Sequence, residues 1–227
     1  MALIDAGYDI VLATPDGTKP HIDAVSGSVD HFGGDQVAYD RAKAFFADQP
    51  AMNDIRTLRS IVEEGVDDYV GVFVPGGHAP AVNLMKDRDA GTILRYFHQA
   101  AKPTALLCHG PVVVVAALDD ARAFRKSLVD GNDAKVASLA DGWIYAGYRM
   151  TVFSASEEKV AEKHLLKGEL YFDMEKALQS AGGAVTVKDA NFASNVVVDR
   201  ELITDQHPAS DRAMADALIK ALGRVAA

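Results

Sequence analysis

The sequence has 227 residues, 49% of them hydrophobic, a formal net charge of −9 and a single cysteine. That is enough apolar material for one sizeable core, so one domain with an insertion is expected rather than two domains. The negative charge argues against a nucleic-acid or anionic-membrane surface, and one cysteine excludes an internal disulfide framework. No stretch has the pattern of a signal peptide or the length of a membrane span, so a cytoplasmic protein is expected.

Residues 1–7 have the pattern of the last turns of a helix closed by glycine. Residues 8–14 predict a strand, and Pro15-Asp16-Gly17 a turn. Strands and helices alternate in an α/β chain, so a strand is expected ahead of that helix; a first strand and most of a first helix are read as absent from this sequence. Residues 19 to about 34 are polar, glycine-rich and irregular. Residues 37–48 predict an amphipathic helix with Val37, Tyr39, Ala44 and Phe45 as inward candidates, and residues 53–64 a short helical or extended piece. Together, residues 19 to about 66 are expected to form an inserted cap of the kind that shapes a pocket over a sheet edge.

Residues 69–74 predict a buried strand, followed by the loop Pro75-Gly76-Gly77-His78-Ala79. Residues 82–85 and 90–101 predict helices, the second with Ile93, Leu94 and Phe97 on one face. Lys102-Pro103 leads into an apolar run that stops at Cys108. The four valines after Pro111 favour a strand by propensity, but proline at a helix's first turn and the alternating architecture favour a buried helix. Residues 128–139 are polar and read as a loop or hairpin edge. Residues 143–153 contain strand pieces. Ser154 caps a helix with Glu157 and Glu158 in its first turn. A helix over residues 171–179, short strands over 184–188, 195–199 and 202–204, and a final helix over 211–222 complete an α/β fold: a doubly wound, mostly parallel sheet sandwiched by helices.

Three constellations carry chemistry. An apolar run ending at Cys108-His109-Gly110-Pro111 outlines a nucleophile elbow, where the following helix directs its N-terminus at the thiol and would leave it partly ionised at neutral pH. A lone cysteine in an apolar strand is more often packing than nucleophile, and its place at the strand's end reverses that weighting. His109 stands as base or partner of the thiol. Gly76 and Gly77 end another strand, so both turns fall on the sheet's carboxyl edge, where Gly77 N–H and His109 N–H could form an oxyanion site. Either Glu157 or Glu158 could orient His109, and otherwise the two simply offset the helix dipole. His78 adjoins the glycine loop as a pocket candidate or a solvated loop residue. His21, His31, His98, His164 and His207 show no metal-ligand spacing with one another or with Cys108, so no metal is expected.

Several stretches together resemble the ThiJ/PfpI superfamily, with its class I glutamine amidotransferase-like, flavodoxin-like fold. They are Val72-Phe-Val-Pro-Gly-Gly-His78, Leu106-Leu-Cys108-His109-Gly110-Pro111, Ala146-Gly-Tyr-Arg-Met-Thr-Val-Phe-Ser154 and Leu202-Ile-Thr-Asp-Gln-His-Pro-Ala-Ser210. Within the superfamily they resemble the cap-bearing branch that includes glyoxalase III and stress chaperones. The resemblance covers nearly the whole chain and implies one domain over residues 1–227. It implies Cys108 as nucleophile, His109 as its histidine and Glu158 as the acid behind it, with oxyanion donors from Gly77 and His109. The implied activity is a cofactor-independent, glyoxalase III-type lyase converting methylglyoxal or glyoxal to the hydroxy acid through a hemithioacetal. A related deglycase activity, a small dicarbonyl substrate and a homodimer come with it.

The sequence departs from the superfamily twice. Ala79 replaces the glycine usual after Gly-Gly-His, and the glutamate that the family carries at the start of its first helix, as proton shuttle, has no counterpart here. Two other function classes remain open: a stress holdase or oxidant sensor in which Cys108 is oxidised to a sulfinate, and an amidase or peptidase, weakened by Leu106 where a glycine would precede the nucleophile by two residues.

Overall fold

The computed structural model describes residues 1–22, 27–163 and 168–225. They fall into two compact units, Met1–Glu64 and Gly65–Ala227.

In the first unit, helix α1 (Ala2–Asp5) ends before Gly7, which takes a φ of +89°. The strand expected over residues 8–14 is confined to β1 (Ala13–Thr14), which pairs parallel with β2 (Arg56–Thr57). Thr18 N donates to Asp16 Oδ1, closing the turn after β1. Helix α2 (Gln36–Asp48) forms as the pattern predicts, capped by the Asp35 side chain on Ala38 N. Of the expected inward positions, Tyr39 and Phe45 are partly covered, whereas Val37 and Ala44 are not. Val37 is 78% exposed, Ala44 is also exposed, and no residue of the helix is buried. The partly covered positions are Ala38, Tyr39, Ala42, Phe45 and Phe46, a stripe rotated away from Val37, and the edge contact of Phe32 with Tyr39 lies along it. A 3-10 turn at Pro50–Asn53 and helix α3 (Leu58–Glu64) complete the unit.

The second unit is built on a four-stranded sheet in the order β3-β4-β8-β7: β3 (Val72–Val74), β4 (Thr104–Leu107), β8 (Leu202–Asp205) and β7 (Val196–Asp199). β3, β4 and β8 are parallel, and β7 joins β8 antiparallel across a tight turn at Arg200. β4 and β8 are buried, whereas β3 is an edge of this sheet among the described residues and Phe73 on it is 43% exposed, so the strand is less buried than its apolar run predicts. A small parallel pair, β5 (Arg149–Met150) with β6 (Ala184–Val185), accounts for the strand pieces foreseen after residue 143.

The helices are α4 (Ala79–Val82), α5 (Arg88–Gln99), α6 (Ala121–Val129), α7 (Asp133–Leu139), α8 (Ala155–Ala161), α9 (Met174–Ser180) and α10 (Asp211–Val225). α5 buries Ile93, Leu94 and Phe97 as predicted. The loop or hairpin edge expected over residues 128–139 is instead the end of α6 and all of α7. Asp120 and Asn132 cap their N-termini on Ala123 N and Lys135 N, and the polar residues are their solvent faces around buried Phe124 and Val136.

The valine run is a 3-10 helix, Gly110–Ala117, buried throughout. Its four valines are at most 1% exposed. Burying each contributes about 1.5–3 kcal/mol, which outweighs a helix-propensity cost of about 0.7 kcal/mol. The segment packs on α5 so closely that a Cβ on Gly91 would stand 2.1 Å from Ala116 O.

Candidate active site

Because β3, β4 and β8 run parallel and in register, with Val74 opposite Leu106 and Leu107 opposite Asp205, the turns after their carboxyl ends converge on one edge. Cys108 follows β4 with a left-handed φ of +59°. Such a backbone costs a non-glycine residue roughly 1–3 kcal/mol and persists only where its surroundings impose it. Here Cys108 N donates to Asp205 O at 2.9 Å, and Phe153 N donates to Cys108 O at 2.9 Å. Gly110 admits the turn, since a Cβ there would meet Val74 O at 2.9 Å.

His109 folds its ring back on the thiol. Its Nδ1 lies 3.0 Å from Cys108 Sγ, and its Nε2 lies 2.8 Å from Glu158 Oε2. Phe153 stacks on the ring at 4.6 Å between centroids and 22° between planes. Between the two candidate acids, local folding decides. Ser154 and Glu157 form a capping box at the start of α8, and the buried Glu157 carboxylate also accepts from Gln206 Nε2 and Phe192 N. Glu157 is thereby occupied, and Glu158, one residue and about 100° further round the helix, faces His109. His78, on the loop after β3, reaches the same carboxylate: its Nε2 lies 2.9 Å from Glu158 Oε1, and its ring stands edge-on to His109 at 4.4 Å. Each oxygen of Glu158 thus serves one histidine.

Burial pushes the Glu158 carboxyl up, but its hydrogen bonds with His109 and His78 outweigh that and hold its pKa at about 2. Burial lowers His109, against a partial upward pull from Glu158. Burial also pushes the Cys108 thiol up, and the charges of Asp205, Glu158 and Glu157 add to it, opposed by the His109 backbone N–H. The thiol is therefore neutral at rest, in contrast to the partly ionised thiol expected from an elbow: one backbone donor is too little against enclosure and three acids. An anionic Glu158 fixes the proton of neutral His109 on Nε2, leaving the bare Nδ1 facing Sγ. The arrangement can pass the thiol proton to Nδ1 as the sulfur attacks an electrophile.

Gly77, with a φ of +88°, lies on the loop after β3 next to Gly76, which packs against Cys108, and His109 follows Cys108 in the elbow itself. Asp205 escaped the sequence reading. It closes β8 beside the elbow, fully buried, with Oδ1 accepting from His207 N and Oδ2 without a hydrogen-bond partner among the described residues. Burial raises its pKa to about 7. The signal was available: Asp205 ends a strand at the same carboxyl edge. Of the remaining histidines, His98 pairs with Glu201 and His207 contacts Phe192, while His164 and the side chain of His31 lie outside the described residues.

Comparison with known proteins agrees with this architecture. The model of the DJ-1/PfpI family matches residues 2–123, just over half of the chain. A protein/nucleic acid deglycase HchA of Staphylococcus aureus (strain bovine RF122 / ET3-1) is 24% identical over 212 residues, 91% of this chain and 63% of the relative. The HchA of Pseudomonas aeruginosa (strain UCBPP-PA14) is 24% identical over 164 residues, 70% of this chain and 50% of the relative. The chain thus spans between half and two thirds of the length of these relatives. Among solved structures, glyoxalase III (Orf 19.251) from Candida albicans superposes with a TM-score of 0.72 at 19% identity, covering 97% of this chain and 83% of that one. No described helix is long and apolar enough to cross a membrane.

Proposed function

The chain belongs to the DJ-1/PfpI family, and from that premise we propose that it is a cofactor-independent, glyoxalase III-type enzyme that converts methylglyoxal or glyoxal to the hydroxy acid. The observation that carries the reading is the continuous contact from Cys108 Sγ through His109 to Glu158 on a left-handed elbow. Cys108 Sγ bonds to the aldehyde carbon as its proton passes to His109 Nδ1. The oxyanion is held by Gly77 and His109 N–H until protonation gives the hemithioacetal. A base then removes the proton from that carbon and a proton is returned to the neighbouring carbon, so that the substrate is isomerised, with no external oxidant, to a thioester of Cys108. Water cleaves the thioester, releasing the hydroxy acid and restoring the thiol. Deglycase activity on early glycation adducts would use the same opening addition. The whole chain acts as one catalytic domain in this reading, with residues 19 to about 66 as its cap.

The burial of Cys108, which is 6% exposed, speaks against the oxidant-sensor reading, because sulfinate formation starts from an accessible thiolate. Incubating the protein separately with methylglyoxal and with a chromogenic amide tests the assignment. Appearance of lactate without added cofactor supports the glyoxalase reading; cleavage of the amide alone would replace it with an amidase.

A further inference from the structure

We infer that His78, His109 and Glu158 together form a binding site for one divalent transition-metal ion of the zinc class, and that the ion reversibly inhibits the enzyme. Binding is argued from donor geometry alone; the inhibition rests on the glyoxalase reading above.

One ring nitrogen each of His78 and His109 and a Glu158 carboxylate oxygen all lie within 4.8 Å of one another. Two imidazole nitrogens and one carboxylate are the donor set of zinc sites that keep a fourth position open. The donors come from three places far apart in sequence, the loop after β3, the turn after β4 and the first turn of α8, which is why ligand spacing along the chain does not reveal them. They are already oriented, because each histidine nitrogen points at the shared carboxylate at 2.9 and 2.8 Å. A tetrahedral zinc ion with bonds of about 2.0–2.1 Å sets its donors about 3.3 Å apart, and donors that all lie within 4.8 Å of one another reach that spacing by side-chain shifts of no more than about 1.5 Å. The His78 side chain is 31% exposed, which gives an ion a way in.

Coordination would use the lone pair on His109 Nε2. The imidazole then keeps its single proton on Nδ1, the nitrogen 3.0 Å from Cys108 Sγ. A ring protonated there cannot accept the thiol proton, so a metal-loaded chain loses its base without the ion touching the sulfur. The borderline-soft ions Zn2+ and Co2+ fit these donors better than Mg2+ or Ca2+, which take oxygen-rich sites.

The test uses Cys108→Ser protein, which removes the thiol as a rival ligand and does not depend on turnover. Zn2+ affinity is read by competition with a chromophoric chelator, and Co2+ is read by its visible spectrum. The C108S protein is expected to bind one Zn2+ per chain and to show a tetrahedral Co2+ spectrum. Adding His78→Ala or Glu158→Gln should weaken Zn2+ at least about tenfold, and Zn2+ should no longer raise the thermal unfolding midpoint of either double variant. Failure of C108S to bind Zn2+, or binding by both double variants as tight as by C108S itself, overturns the site. If the site binds Zn2+ as expected and the wild type does not convert methylglyoxal, the glyoxalase reading fails and the metal site stands.

Discussion

Gly76 and Cys108 touch through the space a side chain would occupy: a Cβ at position 76 would stand 2.8 Å from Cys108 Cβ and 3.5 Å from its sulfur. The glycine loop after β3 and the elbow after β4 therefore fit together only if position 76 has no side chain. Gly76→Ala must move one of the two turns. A displacement of the reacting groups on the order of 1 Å costs about a hundredfold in rate. The variant should lose about that factor in kcat/KM for methylglyoxal while still folding. Activity within threefold of wild type would contradict the contact.

Glu158→Gln keeps the size of the acid but removes the charge that holds the His109 proton on Nε2. Loss of the correct tautomer lowers kcat by about 10⁴ in the Ser-His-Asp template, and a drop of about 10²–10⁴ is expected here, with KM little changed. Glu157→Gln acts elsewhere, on the cap of α8 and on Phe192 N. It should lower thermal stability more than it lowers kcat. Steady-state kinetics and thermal unfolding of the two variants separate the roles, and equal kinetic losses would erase the distinction.

A neutral thiol is a prediction in itself. At neutral pH the protein should show no thiolate ultraviolet absorbance and should react slowly with iodoacetamide, because enclosure and the charges of Asp205, Glu158 and Glu157 hold the proton on sulfur. Rapid alkylation of Cys108 at pH 7 would mean that the backbone donor of the elbow prevails.

Asp205 carries a pH dependence with a defined sign. Its carboxyl titrates near 3.8 when solvated and at about 7 in the fold, with burial as the main cause. Between those values the unfolded chain has released the proton and the folded chain retains it, so folding stability falls as pH rises from about 4 to about 7 and is flat above. Asp205→Asn cannot ionise. Its stability relative to wild type should improve steadily across that window, as measured by urea unfolding at several pH values. The same change should ease thiolate formation, since the Asp205 charge opposes it. A stability difference that is constant with pH would show that Asp205 is not the titrating group.

Much of this was legible in the chain. Cys108-His109-Gly110-Pro111 announced its turn through residue types, and the apolar spacing of Ile93, Leu94 and Phe97 announced the buried face of α5. Short-range signals fail where a decisive partner is distant in sequence. Glu158 meets His78 across 80 positions, and Asp205 meets Cys108 only because β8 lies beside β4. The polar run over 128–139 misled because its charges are the outer faces of two short capped helices, and polarity alone does not tell a solvated helix from a loop. The thiol's protonation differs from the expectation for a related reason: the elbow motif predicts the donor, while the depth of burial and the nearby acids belong to the fold.

Production of hydroxy acid from methylglyoxal by the wild type and by Cys108→Ser, without added cofactor and at equal folded concentration, tests the central claim most directly. The account predicts lactate formation by the wild type and none above the uncatalysed background by C108S. Comparable lactate formation by C108S, or none by the wild type, would contradict it.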